Sequence, residues 1–597
     1  MSSSRMEERP VSLWLTSIDF KDGTKLQLGP GDITVFVGPN NVGKSAVLKE
    51  IHRHLSEGKQ PSNLVEGISF DRRGSREQLE KLLADVSAKK HVGSSLQYVG
   101  SGYNIQSNII GTWDGSPRRL VSFFCKLVGA DTRLTGSNPT ESIRHDEPAT
   151  NPIQLLFAKP DLELRLSKLF EQAFSSALIV YRMGGPEIPL FVGKRAAHKR
   201  GEALFESAYV QRFEQLASPL KSQGDGMRSF ATILLEAVAG AEGKIVLLDE
   251  PEAFLHPPQA RLIGRTLAKQ SSDISQLFIS THSIDVLLGI LGAAPRRLNI
   301  VRLNRDANLT RVSILEPDQA QRIANDPLLK YSSLLSALFY KRAAICEGDS
   351  DCLFYQAVLD QTHGSERENS DILFLHASGK DRMAAMARSL RALDVQVDVI
   401  ADADILRGAS LEKLSIAVGA DWNEIEPYWK LVSNAIESRK PWSTAGAIHA
   451  EISEILGKVA HQTELPSAIV EEIKGVLKKA SPWDAVKAAG DRVLPKGPVY
   501  QAMGQLRQIL AAHGVHILSV GELEGFNKNI VLHGPKWAQA VVEKCDLVAD
   551  PELAEARAFV ASIWGAQPSI QVKVSARRLL RKVGVRKTTH LSRKSPD

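Results

Sequence analysis

Cysteine is scarce in this chain: there are four in 597 residues, and Cys125, Cys346, Cys352 and Cys545 show no paired short spacing. That excludes a zinc ribbon and a disulfide framework, and the four read as reduced thiols, with Cys346 packed in a strand. Long apolar runs are missing too. No stretch reaches the uncharged length of a membrane span, and Met1 to Pro10 mixes serines with charges where a secretory signal would carry an apolar core. A cytoplasmic protein without membrane contact is expected. No heptad pattern persists, which excludes long coiled-coil arms. Charge of one sign is in short supply outside the C-terminus: the net charge is +6, yet Gln571 to Asp597 carries nine Lys/Arg against one Asp, which leaves the rest near neutral at −2. That basic tail either reaches phosphates electrostatically or is a solvated end.

A chain of 597 residues needs at least two cores. The strand-like run Ile33 to Val37 enters Gly38-Pro39-Asn40-Asn41-Val42-Gly43-Lys44-Ser45, and Ala46 to His54 continues with Val47, Leu48 and Ile51 at helical spacing. Glycines at such a junction let backbone N–H groups converge on phosphate oxygens beside a helix N-terminus. Gly38, Asn40, Asn41 and Gly43 would form the cradle, Lys44 would meet the β- and γ-phosphates, and Ser45 would ligate magnesium. Further on, the apolar strand Ile245 to Leu248 delivers Asp249, suited to the magnesium shell, and Glu250, suited to polarising a water. The strand Gln276 to Ser280 ends at Thr281-His282-Ser283. Between these motifs, Leu96 to Val99 and Asn108 to Trp113 look strand-like, and Arg228 to Ala239 looks helical. Leu162 to Leu220, residues 162–220, has helical periodicity broken at Gly184-Gly185-Pro186 and reads as an interaction or dimerisation arm.

A second grammar begins at the strand Ala343 to Cys346. Glu347 follows it, Gly348 permits a tight turn, and a helix starts at Asp349, Ser350 and Asp351. The strand Val395 to Ala401 ends at Asp402 and Asp404, whose spacing puts both on one side if the chain stays extended. Further strands are expected at Ile372 to Leu375 and Val515 to Val520. Carboxylates gathered at strand ends repel one another unless cations neutralise them, so Mg2+ or Mn2+ is the natural completion.

Several of these segments resemble known families. Asp249-Glu250-Pro251-Glu252, Ser280-Thr281-His282-Ser283 and Ser222-Gln223-Gly224-Asp225-Gly226 resemble the Walker B, switch-histidine and signature elements of ABC-type ATPases, although the last departs from Leu-Ser-Gly-Gly-Gln. The resemblance implies a homodimer or higher homo-oligomer that sandwiches ATP, with Ser222 and Gly224 contacting the γ-phosphate held by the partner and His282 sensing it. Gln154 lies in the interval where that family places a glutamine. The pattern Glu347…Asp402-Ala403-Asp404 resembles a Toprim domain. With the upstream head, residues 11 to 545 are similar to the OLD family of ATP-dependent endonucleases, which includes the nuclease component of the Gabija anti-phage system. Members add a later acidic element, which Glu522 and Glu524 fit, and a lysine, for which Lys536 is the choice and Lys380 the rival. The implied metal set is Glu347, Asp351, Asp402, Asp404, Glu522 and Glu524.

The expected architecture is therefore α/β: an ABC-type ATPase head with a helical insertion (residues 1–340), then a Rossmann-like Toprim domain (341–545) with a helical insertion at 406–513, then a C-terminal helix and the basic tail (546–597). The expected function is an ATP-hydrolysing, Mg2+- or Mn2+-dependent DNA endonuclease or nickase with nucleotide-regulated cleavage, in anti-phage defence and with a partner protein. Two alternatives stand beside it. A structural-maintenance or recombination ATPase would bind DNA without cutting it, and a Toprim strand-passage or primer-synthesis enzyme would need a tyrosine nucleophile, for which neither Tyr428 nor Tyr500 has an identifiable context.

Overall fold

The structure is a computed structural model and describes residues 10–92, 95–240, 243–306, 309–315, 333–363, 371–438, 445–459, 464–478 and 481–564. The basic tail read from the sequence lies outside the described residues. The chain divides into two compact units, Met1–Asp349 with Asp371–Gly521, and Ser350–Ser370 with Glu522–Asp597.

Two of the first unit's sheets carry the candidate sites. The larger has six strands: β1 (Ile33–Val37), β2 (Cys125–Val128), β3 (Ile245–Asp249), β4 (Gln276–Ser280), β5 (Leu298–Asp306) and β6 (Leu309–Leu315), in the order β6-β5-β1-β4-β3-β2. All neighbours pair in parallel except β5 and β6. Every residue of β1 is buried, as a parallel strand covered on both faces requires, and this explains why its sequence, Thr34 apart, is apolar rather than alternating. The helix α1 (Lys44–Glu57) follows β1 and buries Val47, Leu48, Ile51 and Leu55 on one face. α2 (Asp225–Leu234) buries Phe230, Ile233 and Leu234, and its last turn runs on as a π-helix to Ala239. α3 (Pro257–Gln270) and α4 (Ile284–Ala293) share a core with α2 on the face of the sheet opposite α1.

Two local expectations need correction. Residues Asn108 to Trp113 do not form a strand: Ser107–Thr112 is a 3-10 helix, whose three-residue period puts Ile110 and Trp113 on the same buried face. The stretch Leu162 to Leu220 is helical only at its ends, in Pro160–Phe174 and Ser207–Leu216. Between and after them Ala177–Val180, Leu190–Gly193 and Ala217–Pro219 form a three-stranded antiparallel sheet, because the β-branched and aromatic residues there pack against cross-strand partners.

The smaller sheet is entirely parallel, in the order β8-β7-β9-β10, with β7 (Arg342–Cys346), β8 (Ile372–His376), β9 (Gln396–Ala401) and β10 (Val515–Ile517). β7 leads through Glu347 and Gly348 into α5 (Asp349–His363); β8 leads into α6 (Lys380–Ala392). The stretch Leu406 to His513 is helical where described, and includes α7 (Pro482–Ala489). In the second unit, Phe354, Tyr355, Phe526, Trp537 and Phe559 stack at ring-centroid separations of 5.2 to 6.4 Å.

Arg302 joins the two sheets. It lies on β5, opposite Val37 of β1, with no solvent exposure. Its guanidinium donates to the carbonyl of Asp394 at 2.6 Å, in the turn before β9, and to that of Tyr340 at 2.9 Å, just before β7. The Asp394 carboxylate accepts in turn from Ser313 of β6. The buried arginine places both terminal nitrogens of its fork on fixed acceptors, while its Nε has no hydrogen-bond partner. Arg302→Ala should therefore destabilise the unit by about 1–3 kcal/mol for each stranded carbonyl, read as a lower apparent Tm by calorimetry, and an unchanged Tm would show that the link contributes nothing.

Candidate functional site

Both sheets present polar groups at the carboxyl ends of their parallel strands, where the chain leaves the sheet and its side chains are no longer packed on both faces. At the end of β1 the chain turns through Gly38 at φ +145°, Asn41 at +62° and Gly43 at +99°. A Cβ on Gly38 would sit 2.2 Å from the Leu303 carbonyl oxygen, so only glycine lets the loop pass β5. Lys44 opens α1, is buried, and donates to the Gly38 and Pro39 carbonyls at 2.8 and 2.7 Å. Burial lowers its pKa, while Glu250, Glu252, Asp371 and Asp249 oppose the shift. Asn40 is exposed and Ser45 half-buried beside it.

Asp249 ends β3 opposite Ser280 of β4, whose hydroxyl donates to its carboxylate. Glu250 follows with φ +47°, a left-handed backbone that the surroundings must hold. Its N–H donates to the Ser280 carbonyl at 2.9 Å, and its own carbonyl accepts from Arg133 at 2.6 Å. Glu252 is buried and accepts from the Thr281 hydroxyl and the His282 N–H, both at 2.8 Å. The His282 ring nitrogen Nδ1 lies 3.1 Å from Glu252 and 3.6 Å from Glu250. Thus Lys44, Asp249, Glu250 and His282 all lie at or just beyond the carboxyl ends of β1, β3 and β4.

Ser222 and Gly224 are exposed at the N-terminus of α2, where the Ser222 hydroxyl donates to Pro219 at 2.7 Å. Gln154 is spent elsewhere, accepting from Thr150 and donating to Glu141. Arg133 is the residue that sequence reasoning missed. It is fully buried, its Nε and Nη2 have no hydrogen-bond partner, and Glu252, Asp249 and Glu250 surround it electrostatically. It lies in a four-residue helix after β2, and no motif in the chain flags it.

At the smaller sheet, Glu347 follows β7 and Asp402 follows β9. The chain does not stay extended past Asp402: Ala403–Leu406 is a 3-10 turn capped by Asp402, and that turn, rather than strand alternation, brings Asp404 round. One carboxylate oxygen from each of Glu347, Asp402 and Asp404 lies within 4.8 Å of the others. Two lysines face them. Lys380, at the start of α6, donates to the Asp404 carboxylate at 2.9 Å and to its carbonyl at 3.1 Å. Lys487 of α7 lies 3.1 Å from Asp402 and 4.0 Å from Asp404.

Burial raises the Glu347 pKa, with Asp404 and Asp381 adding to the shift and Lys487 and Lys380 opposing it. For Lys487, burial alone would lower the pKa, but Asp402, Asp404 and Glu347 outweigh it and hold the ammonium above its ordinary range. Glu347 Oε2 and Asp404 Oδ1 are buried without a hydrogen-bond partner. Two orphaned anionic oxygens in one carboxylate cluster are what a hard divalent cation satisfies, so the residues present fit Mg2+ or Mn2+.

The other sequence candidates fall in the second unit. Asp351 is buried on α5. Glu522 immediately precedes the 3-10 turn Leu523–Phe526, Glu524 accepts from the Gly534 N–H at 2.6 Å, and Lys536 is exposed on the helix Pro535–Lys544. Of the two lysines weighed, the structure brings Lys380 to the Asp404 carboxylate, and Lys487 was not foreseen.

Known proteins match these regions separately. Residues 139–289 match a family model for an AAA domain, described under the AbiEii toxin of type IV TA systems. Residues 338–404 match the model for the Overcoming lysogenization defect protein-like TOPRIM domain. The Old nuclease of Escherichia phage P2 is 26% identical over 288 residues, 47% of this chain and 45% of that protein, so the chain spans about half the length of the curated relative it matches. Among solved structures, an SMC head bound to the C-terminal winged-helix domain of ScpA aligns at 13% identity over 52% of this chain and 99% of that one, with a TM-score of 0.32. The SMC head domain from Thermotoga maritima aligns at 12% identity over 52% and 100%, with a TM-score of 0.27. The chain thus carries an ATPase domain followed by an OLD-like Toprim domain, and no helix among the described residues is long and apolar enough to cross a membrane.

Burial raises the Glu252 carboxyl above its ordinary 4.5, against the hydrogen bonds from His282 and Thr281. The unfolded chain therefore releases this proton first, and stability declines as pH rises from the ordinary value through the raised one. Glu252→Gln keeps an acceptor oxygen for Thr281 and His282 without the charge. Its Tm should gain on wild type as pH rises from about 5 to 8, and a pH-independent Tm difference by calorimetry would refute the assignment.

Proposed function

We propose that this chain is an ATP-binding and hydrolysing, Mg2+- or Mn2+-dependent DNA endonuclease or nickase whose cleavage responds to nucleotide. The observation that carries the reading is the convergence of Glu347, Asp402 and Asp404 with two of their buried oxygens unpartnered. Glu347, Asp402 and Asp404 would hold the divalent cation, which when bound supplies Lewis-acid polarisation of a phosphodiester and a water of lowered pKa. Lys380, anchored twice on Asp404, keeps that carboxylate aimed inward. The sequence pattern, rather than any distance, keeps Asp351, Glu522 and Glu524 as further metal candidates and Lys536 as a phosphate partner.

At the larger sheet the proposal assigns ATP to the ABC-type cradle of Gly38, Asn40, Asn41, Gly43, Lys44 and Ser45. Ser45 and Asp249 would hold its magnesium, and Glu250 would take the proton of the attacking water. His282 would read the γ-phosphate through its place between Glu250 and Glu252. Ser222 and Gly224, exposed just before α2, suit contact with nucleotide held by a second copy, so a homodimer or higher homo-oligomer belongs to the proposal, with residues 162–220 as its arm. A cytoplasmic anti-phage role with a partner protein is proposed from the OLD-like Toprim match and the name of the phage P2 relative.

Plasmid cleavage by wild type, Asp402→Ala and Lys44→Ala, with Mg2+ or Mn2+ and with or without ATP, tests both halves. Asp402→Ala should lose about two orders of magnitude in cleavage with ATP turnover intact. Lys44→Ala should lose ATP turnover and the response of cleavage to ATP. Full cutting by Asp402→Ala removes the nuclease assignment, and undiminished turnover by Lys44→Ala removes the ATPase assignment.

A further inference from the structure

Lys487 lies outside the Toprim match, which ends at residue 404, in the helical stretch inserted before β10. Its backbone is nonetheless locked to the acidic centre. Gly521 has φ +100°, and a Cβ there would lie 2.1 Å from the Lys487 carbonyl oxygen, so α7 packs directly on the backbone that follows β10. The Gly521 carbonyl accepts from the Ala403 N–H at 2.7 Å, between the two aspartates. The root of the Lys487 side chain is therefore fixed relative to Asp402 and Asp404, and four methylenes carry its ammonium to them.

The two lysines differ in how they are held. Lys380 is tied to a carboxylate and to a backbone carbonyl, so a cation arriving at the carboxylates leaves it one anchor. Lys487 has only the carboxylates of Asp402 and Asp404 as ion-pair partners among the described residues, and its side chain is 30% exposed. An ammonium is a compact charge on a flexible stem, and a divalent cation bound to the same Asp402 oxygens would repel it at short range.

We propose that Lys487 is a built-in, movable cation of the acidic centre: it neutralises Asp402 and Asp404 when no divalent ion is bound, and is displaced toward the substrate phosphate when one binds. The inference rests on the nuclease reading above and adds to it a phosphate-contacting residue supplied by the inserted helices. It also makes Lys487 a competitor of the divalent ion, which a merely structural lysine is not.

Mn2+ binding by calorimetry on the full chain without DNA, together with plasmid cleavage, separates these roles in Lys487→Gln and Lys487→Arg. Lys487→Gln should bind Mn2+ about tenfold or more tightly than wild type, because a repelling unit charge is gone, yet cleave about two orders of magnitude more slowly at saturating metal. Lys487→Arg keeps the charge, so its Mn2+ affinity should stay near wild type while cleavage partly recovers. Unchanged or weaker Mn2+ binding by Lys487→Gln, with Lys487→Arg folded and binding normally, overturns the proposal, as does wild-type cleavage by Lys487→Gln. The metal titration needs no nuclease activity, so failure of the nuclease reading, seen as full cutting by Asp402→Ala, is a separate outcome.

Discussion

Like charges brought together at the ends of parallel strands must be neutralised, and both centres of this protein are organised by that requirement. Parallel strands are covered on both faces along most of their length and place functional polar groups at their carboxyl ends. At the larger sheet the crowding involves Asp249, Glu250 and Glu252, opposed by Lys44 and Arg133. At the smaller one it involves Glu347, Asp402 and Asp404, opposed by Lys380 and Lys487. Three of these cations come from helices that directly follow a strand of their sheet, Lys44 on α1, Arg133 in the short helix after β2 and Lys380 on α6, whereas Lys487 comes from the inserted helices.

The two centres are linked by backbone geometry as well as by charge. β5 pairs with β1, the strand that enters the phosphate-type loop, and from β5 the buried Arg302 reaches the carbonyls that precede β7 and β9. Those two strands carry Glu347 and Asp402. Asp371, just before β8, adds a longer-range tie, since its carboxylate is felt by both Lys44 and Arg302. A change in charge near Lys44 is therefore felt at Asp371, at the edge of the smaller sheet.

Much of the site was readable because local chemistry demanded particular residues. Gly38 and Gly43 take backbone angles that side chains avoid; Asp249, Glu347 and Asp402 stand at the ends of apolar runs long enough to be strands; and His282 follows another. The helical insertion between Leu406 and His513 was likewise evident from its composition. The failures also have physical causes. Asn108 to Trp113 was taken for a strand because two isoleucines and a tryptophan suit either period, and only burial on one face distinguishes the 3-10 turn. The sheet inside residues 162–220 depends on cross-strand partners that no local pattern names. Asp404 reaches Glu347 and Asp402 through a 3-10 turn, where the two-residue spacing predicts an extended strand.

From sequence alone followed the residue types at each strand end and the acidity of the second centre, because these rest on short-range periodicity and on spacing within a few residues, while the order of an ATPase domain before a Toprim domain followed from the resemblance of those motifs to known families. The counter-charges were decided by tertiary structure. Arg133, Lys487 and Arg302 sit in unremarkable local sequence, and their partners lie between 38 and 117 positions away or, for Lys487, on strands closed over a long helical insertion. Electrostatic neutralisation acts through space and is indifferent to chain separation, so which lysine or arginine answers a buried carboxylate or carbonyl is fixed only once the sheets and helices have packed.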